Sequence, residues 1–282
     1  MLIGAHQSIR GGIHRAVERA SDDGCKCLQV FTKAPQAWRE PRVEAEEVER
    51  LREARERTGI GPLISHASYL VNTCSATRRT RARSLEALKN EAARCDLLGI
   101  ELLVFHAGSP GELGESEGIR LVAEAVAETV DASERVELLV ENTAGQGRSI
   151  GHRLEQLAAI LEACDRPDRT GICLDTCHGF AAGYQVGGES ENDLLEEVDR
   201  AIGIDRVGAM HLNDSRGAQG SRVDRHERIG RGLIGLEAFE RLVNDPRLEG
   251  MPAVLETPIE KGETYREEVE TLTSLRGYRS RK

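Results

Sequence analysis

Five histidines and four carboxylates in this sequence stand where side chains could meet and do chemistry: His66, His106, His178, His211, His226, Glu141, Asp175, Asp224 and Glu256. Six of them sit at or near the end of a short apolar run: PLISH (62–66), ELLVFH (101–106), VELLVEN (136–142), TGICLD (170–175), RVGAMHL (206–212) and PAVLET (252–257). The other three follow such runs in loops, His178 in TCHGFAAGY and the Asp224/His226 pair in the stretch 206–226. Taken singly, a His closing a strand is a satisfied polar residue and an Asp-x-His pair is a solvated turn. The joint pattern does not fit that reading, because five of the eight histidines and four carboxylates recur at one place in a repeating architecture. Imidazole and carboxylate without thiolate suit zinc, manganese or iron, not a structural zinc held by four cysteines. A catalytic zinc takes about three protein ligands and keeps one position open, so this set suggests up to about three ions with a bridging carboxylate. Closely spaced ions suit phosphoryl transfer, since they activate water near neutral pH and stabilise both entering and leaving oxygens.

The elements that must position these residues alternate strictly. Apolar strands at 2–6, 27–31, 62–66, 101–106, 136–142, 170–175, 206–212 and 252–257 are interleaved with helices at 13–24, 43–58, 77–98, 116–132, 151–164, 191–202, 235–244 and 262–275. The strands are continuously apolar, as expected when both faces are buried. Their alternation with helices implies parallel pairing through helical crossovers. Eight such units in 282 residues predict a (β/α)8 TIM barrel with its metal site at the C-terminal ends of the strands, where barrel active sites lie. No Pro- or Ser-rich linker interrupts the chain, so residues 1–282 read as one barrel domain. The absence of GxGxxG after the first strand lowers a dinucleotide-binding reading. His6, His14 and His152 are assigned to structure, with His6, itself at a strand end, the nearest of them to the site.

The seven cysteines, an odd number without a CxxC pair, fit reduced packing thiols in a cytoplasm; Cys177, between Asp175 and His178, is read the same way. The opening MLIGAHQSIRGG does not resemble a signal peptide, and no run approaches the roughly 18 apolar residues of a membrane span. A net charge of −10 argues on its own against a nucleic-acid binder, because phosphate contacts need a basic face. Bound divalent ions and a local arginine cluster (Arg216, Arg222, Arg225, Arg228 and Arg231) would offset it beside the site.

The segments HASYLVN, FHAGS, ENTAGQG, LDTCHGFAAGY, HLNDS, GSRVDRHERIG and LETP, in this order, resemble those of the endonuclease IV family of apurinic/apyrimidinic endonucleases over essentially the whole chain. The resemblance implies a monomeric TIM barrel with three zinc ions, manganese being a possible substitute. It implies cleavage of duplex DNA on the 5′ side of an abasic site, leaving a 3′-hydroxyl and a 5′ deoxyribose phosphate, and trimming of blocked 3′ ends. By motif, His66, His106 and Glu141 would hold one zinc. Glu141 would bridge to a second, completed by Asp175, His211 and Glu256, and His178, Asp224 and His226 would hold the third. Glu256 would orient or deprotonate the attacking water, while the third ion would stabilise the phosphate and the departing 3′ oxygen. Gln36, Tyr69, Leu70, Arg222 and Arg225 would contact DNA, with Tyr69 and Leu70 wedged into a kinked duplex.

Three positions depart from the family pattern. The loop Lys33-Ala34-Pro35-Gln36-Ala37-Trp38 has Gln36 where the family places Arg, Ala107 stands where it has Pro, and Arg231 where it has Glu. Two other functions compete. A sugar-phosphate isomerase of the xylose-isomerase-like barrels would use one or two carboxylate-held ions and acid/base residues, and has no use for the third ligand set. A non-catalytic DNA-binding or metal-storage module would not need every ligand of an open hydrolytic centre.

Overall fold

The computed structural model describes residues 1–188 and 192–277. Eight parallel strands close into a barrel: β1 Leu2–His6, β2 Cys27–Val30, β3 Leu63–His66, β4 Leu102–His106, β5 Glu137–Glu141, β6 Thr170–Asp175, β7 Val207–His211 and β10 Pro252–Leu255. Between β7 and β10 a two-stranded antiparallel hairpin is inserted, β8 Asp214–Ser215 with β9 His226–Glu227. The helices are α1 Ile13–Asp22, α2 Ala45–Thr58, α3 Arg78–Leu98, α4 Glu115–Asp131, α5 Leu154–Cys164, α6 Thr176–Ala182, α7 Leu194–Ala201, α8 Leu236–Asn244 and α9 Arg266–Ser274. The expected (β/α)8 barrel is therefore the observed fold, and neighbouring strands follow chain order around it.

Period-2 alternation explains how the strands bury both faces. Cys27, Ile64, Val104, Leu139, Cys173, Ala209 and Val254 point into the barrel and pack on one another. Their neighbours Leu28, Leu63, Leu103, Val140, Ile172 and Met210 point outward, into a larger core with Val17, Leu51, Leu88, Val126, Leu157, Phe239 and Leu272 of the helices. Burying each such side chain contributes roughly 1.5–3 kcal/mol. Gly59 and Gly99 end α2 and α3 in left-handed conformations (φ 71° and 66°), a backbone state that other residues enter only with strain.

The structure corrects the sequence reading of two segments and of several helix starts. The segment after β6, expected to be loop, opens with helix α6. Asp175 caps it, its Oδ1 accepting from the backbone N–H of His178 at 2.7 Å, so one carboxylate both starts this helix and faces the ligand cluster. The arginine-rich stretch is likewise partly a hairpin. Helix starts also move inward: α5 begins at Leu154 rather than 151, and α9 at Arg266 rather than 262. Residue 191, expected to open α7, lies outside the described residues. All seven cysteines are free and buried. Among the described residues no helix is long and apolar enough to cross a membrane.

Candidate metal centre

Because inward side chains recur every second residue, the position two past each interior residue also faces inward, at the barrel's C-terminal mouth. Those positions hold His6, Gln29, His66, His106, Glu141, Asp175, His211 and Glu256, one from each of the eight strands or the residue just after it. Six belong to the ligand set expected from sequence. His6 and Gln29 do not, and the same two-residue step would have found them: His6 follows Gly4, whose missing Cβ leaves room for Cys27, and Gln29 follows Cys27. His178 is added by α6, while Asp224 and His226 are brought over the mouth by the β8–β9 hairpin.

Glu141 is the hub. Its Oε2 lies 3.0 Å from His66 Nε2 and 3.3 Å from His106 Nε2. Its Oε1 lies 3.1 Å from both His178 Nδ1 and His211 Nδ1. His211 Nδ1 is in turn 3.2 Å from Glu256 Oε2 and 3.7 Å from Asp175 Oδ2. Asp224 sits 3.4 Å from His178 Nε2 and 3.4 Å from His226 Nε2. Ligand atoms thus gather, each set within 4.8 Å, as His66/His106/Glu141, as Glu141/Asp175/His211/Glu256 and as His178/Asp224/His226. Cys177 falls within the same distance of Asp175 and His226, but burial raises its thiol to about 12, the behaviour of a packing residue.

The ring tautomers suit metal ligation. A carbonyl oxygen can only accept, so His66 Nδ1 donates to the Ala67 carbonyl (2.8 Å), His178 Nδ1 to that of Asn142 (3.0 Å) and His226 Nδ1 to that of Glu256 (3.3 Å). Each leaves Nε2 aimed at the cluster, the arrangement that metal-bound imidazoles show. His226 Nε2 is buried without a hydrogen-bond partner, although it lies 3.7 Å from Asp175 Oδ2. A buried lone pair facing carboxylates is what a cation would satisfy. The donor set fits divalent metal.

Charge follows the same logic. Burial disfavours charged imidazoles, yet it is outweighed by Asp175, Asp224 and Glu141 at His178 and by Cys173, Glu256 and Glu141 at His211, which hold both well above the ordinary 6.5. Burial likewise opposes ionised Glu141, but the surrounding histidines draw its pKa well down. Against burial, the bond from His178 and the nearby His226 lower Asp224 to about 2. Without metal, protons occupy the positions where cations would sit.

Two asparagines that sequence reasoning passed over lock the ligand strands together. Asn142 accepts from Asp175 N at 2.6 Å, and Asn213 donates to Asp175 Oδ2 at 2.7 Å while accepting from Glu256 N at 2.9 Å. Above the ligands lies a cavity of about 220 Å³ walled by Phe31, Tyr69, Tyr265 and several of the histidines. A larger hollow of about 450 Å³ lies at the ends of α4 and α5, but its Arg166 and Asp131 are already ion-paired and no metal-binding set among the described residues lines it.

The residues expected to reach DNA lie on the rim. Tyr69 is 61% exposed, its ring edge-on to Phe31 with centroids 5.1 Å apart; Leu70 is half-buried and Gln36 exposed. The loops of β2 and β3 are joined, because Ser68 Oγ and Tyr69 N both donate to the Pro35 carbonyl, at 2.6 and 3.1 Å. The arginine cluster is less basic than expected. Arg216 pairs with Glu227, Arg228 with Glu263, Glu267 and Glu268, and Arg231 with Glu267. Only Arg222 and Arg225 of the five are exposed without a carboxylate partner among the described residues. The spacing could not reveal this, since the neutralising glutamates of Arg228 and Arg231 sit on or beside a helix some forty residues away.

Residues 17–275 match a family model described as a xylose isomerase-like TIM barrel. A probable endonuclease 4 of Geobacter sulfurreducens is 45% identical over 277 residues, covering 97% of this chain and 93% of the relative. That of Halorhodospira halophila is 46% identical over 264 residues, 91% of this chain and 88% of the relative. The crystal structure of endonuclease IV from Thermus thermophilus superposes with a TM-score of 0.87 at 38% identity, covering 98% of each chain. The chain belongs to the endonuclease IV family. It is therefore an enzyme of a nuclease family. A D-tagatose 3-epimerase-like protein, at TM-score 0.70 and 20% identity, shares the fold alone.

Proposed function

We propose that this endonuclease IV relative is a DNA repair enzyme that cuts duplex DNA on the 5′ side of abasic sites, leaving a 3′-hydroxyl and a 5′ deoxyribose phosphate, and trims blocked 3′ ends. It acts as one monomeric barrel domain carrying three divalent ions, zinc by preference and manganese as a substitute. The observation that carries this reading is Glu141, whose Oε2 faces His66 and His106 while its Oε1 faces His211, as a bridging carboxylate requires. His66, His106 and Glu141 would hold one ion; Glu141, Asp175, His211 and Glu256 a second; His178, Asp224 and His226 the third. Such ions supply Lewis-acid chemistry, activating water near neutral pH and balancing charge on the phosphate.

The chain's own residues account for the rest. Glu256 borders the cavity with Oε1 already holding a proton donor, Gln29 Nε2, at 2.6 Å; its other oxygen orients the attacking water and accepts its proton. Phe31 and Tyr69 give a sugar lacking a base an apolar wall. Arg222 and Arg225 meet backbone phosphates, offsetting the net negative charge. The test is incision of a duplex carrying one tetrahydrofuran abasic analogue, which has no aldehyde and so cannot be cut by β-elimination. Cleavage 5′ to the analogue supports the reading. A metal-loaded protein that leaves this duplex intact sinks it and moves attention to phosphorylated sugars.

A further inference from the structure

Three of the ligand histidines fix their tautomers through backbone carbonyls, at Ala67, Asn142 and Glu256. His211 does not. Its inward nitrogen is Nδ1, and its outward Nε2 lies 2.8 Å from a side chain, Gln29 Oε1. Gln29 is fully buried and its amide nitrogen has two further neighbours, Glu256 Oε1 at 2.6 Å and His6 Nδ1 at 3.0 Å.

We propose that Gln29 is a positioning residue that fixes the ring tautomer of His211 and the orientation of Glu256 together. This rests on the reading of the centre as a metal site. At the His211 end the hydrogen bonds can be satisfied in one way only. If His211 offers a lone pair from Nδ1, then Nε2 carries the proton and needs an acceptor. Gln29 Oε1 must be that acceptor, which turns the amide NH₂ toward Glu256 and His6. One hydrogen then goes to Glu256 Oε1, leaving Oε2 free to face His211 and the ligand cluster. The other faces His6 Nδ1 at 3.0 Å, a nitrogen that itself lies 3.5 Å from Glu256 Oε1. A flipped amide would set its donor against the Nε2 proton and its oxygen against the carboxylate. One planar side chain therefore links the state of a ligand ring to the aim of the proposed proton acceptor, and it arrives through strand alternation from Cys27, with no loop involved.

The test uses the full-length metal-loaded protein with Gln29→Met and Gln29→Glu. Gln29→Met removes both donor and acceptor at similar volume; zinc affinity measured by chelator competition falls about 10- to 100-fold. In spectra of ring-¹⁵N-labelled histidine, the His211 signal of the zinc-loaded wild type shows Nε2–H only, whereas the variant shows mixed tautomers. Gln29→Glu keeps an acceptor for His211 but places a like charge against Glu256. It retains zinc within a few-fold of wild type while kcat drops about tenfold or more with little change in KM. If Gln29→Met does not fold, the split between retained zinc and lost kcat in Gln29→Glu carries the decision. Variants that match wild type in zinc affinity, tautomer and kcat overturn the role of Gln29 and leave the metal centre standing. A wild-type protein that binds no zinc overturns both.

Discussion

The floor of the site draws one inward residue from each barrel strand, whereas the rim is carried by loops tied down through ion pairs on the helices. On the floor, position follows from alternation: a buried apolar residue fixes which way the residue two further on must point. On the rim, the loop after β2 is held by a buried network in which Arg94 reaches Glu91 (2.7 Å) and Glu40 (2.9 Å), Lys33 binds Glu40, and Thr32 binds Glu91. Trp38 on the same loop lies under Arg83, 4.4 Å from its guanidinium carbon. The hairpin bearing Asp224 and His226 is held in a comparable way by Arg228 and three glutamates. The strand-end ligands are thus fixed by the barrel itself, whereas Asp224, His226 and the rim residues proposed to meet DNA depend on charge pairs that can change without disturbing it.

The largest effect separating the two regions is expected from the floor. Glu141→Ala removes the shared ligand and lowers incision by about 10³-fold or more, the several kcal/mol an ion contributes to phosphoryl transfer. His106→Ala, whose side chain is 32% exposed, should abolish incision too while leaving the unfolding midpoint near wild type; full activity in either variant would show that the ligand assignment is wrong. Next comes the rim's anchor. Arg94→Met leaves buried Glu91 without its cation, while Glu40 keeps Lys33, and destabilises by about 3–5 kcal/mol, read from urea unfolding; a change below about 1 kcal/mol would mean the network does not anchor the loop.

A subtler contrast is in pH. In metal-free protein His178 and His211 titrate well above 6.5, so the stability they contribute is present below about pH 6.5 and lost as pH rises through their raised values. Metal-free protein should therefore lose stability as pH rises from about 6.5 through those values. The loaded protein should gain it, because ligands must shed protons to bind. Parallel slopes in thermal melts with and without chelator would contradict this. The smallest effect belongs to the exposed rim: Gln36→Arg adds one phosphate or base contact and should tighten binding to abasic duplex by about 1 kcal/mol, roughly fivefold, with a steeper salt dependence. Unchanged affinity would mean the loop stops short of the DNA.

The same contrast explains what could be read from the sequence. The barrel was legible because eight continuously apolar strands alternate with helices, and the ligand positions because His, Asp and Glu recur at the strand ends. Gln29 was passed over because Gln is neither a usual ligand nor a titrating group, and its position emerges only when Cys27 is known to face inward. Helix α6 was missed because its cap, Asp175, also counts among the ligands. The neutralised arginines were illegible for another reason: Arg228 meets Glu267 only after β10 and α9 have folded back, a contact no local spacing encodes.

Glu141 is proposed to serve two ions at once, which anomalous scattering at the zinc edge from crystals of the zinc-loaded protein tests most directly. About three peaks, two of them flanking Glu141 and the third held by His178, Asp224 and His226, are the predicted result. A single peak, or two with neither touching Glu141, would contradict it.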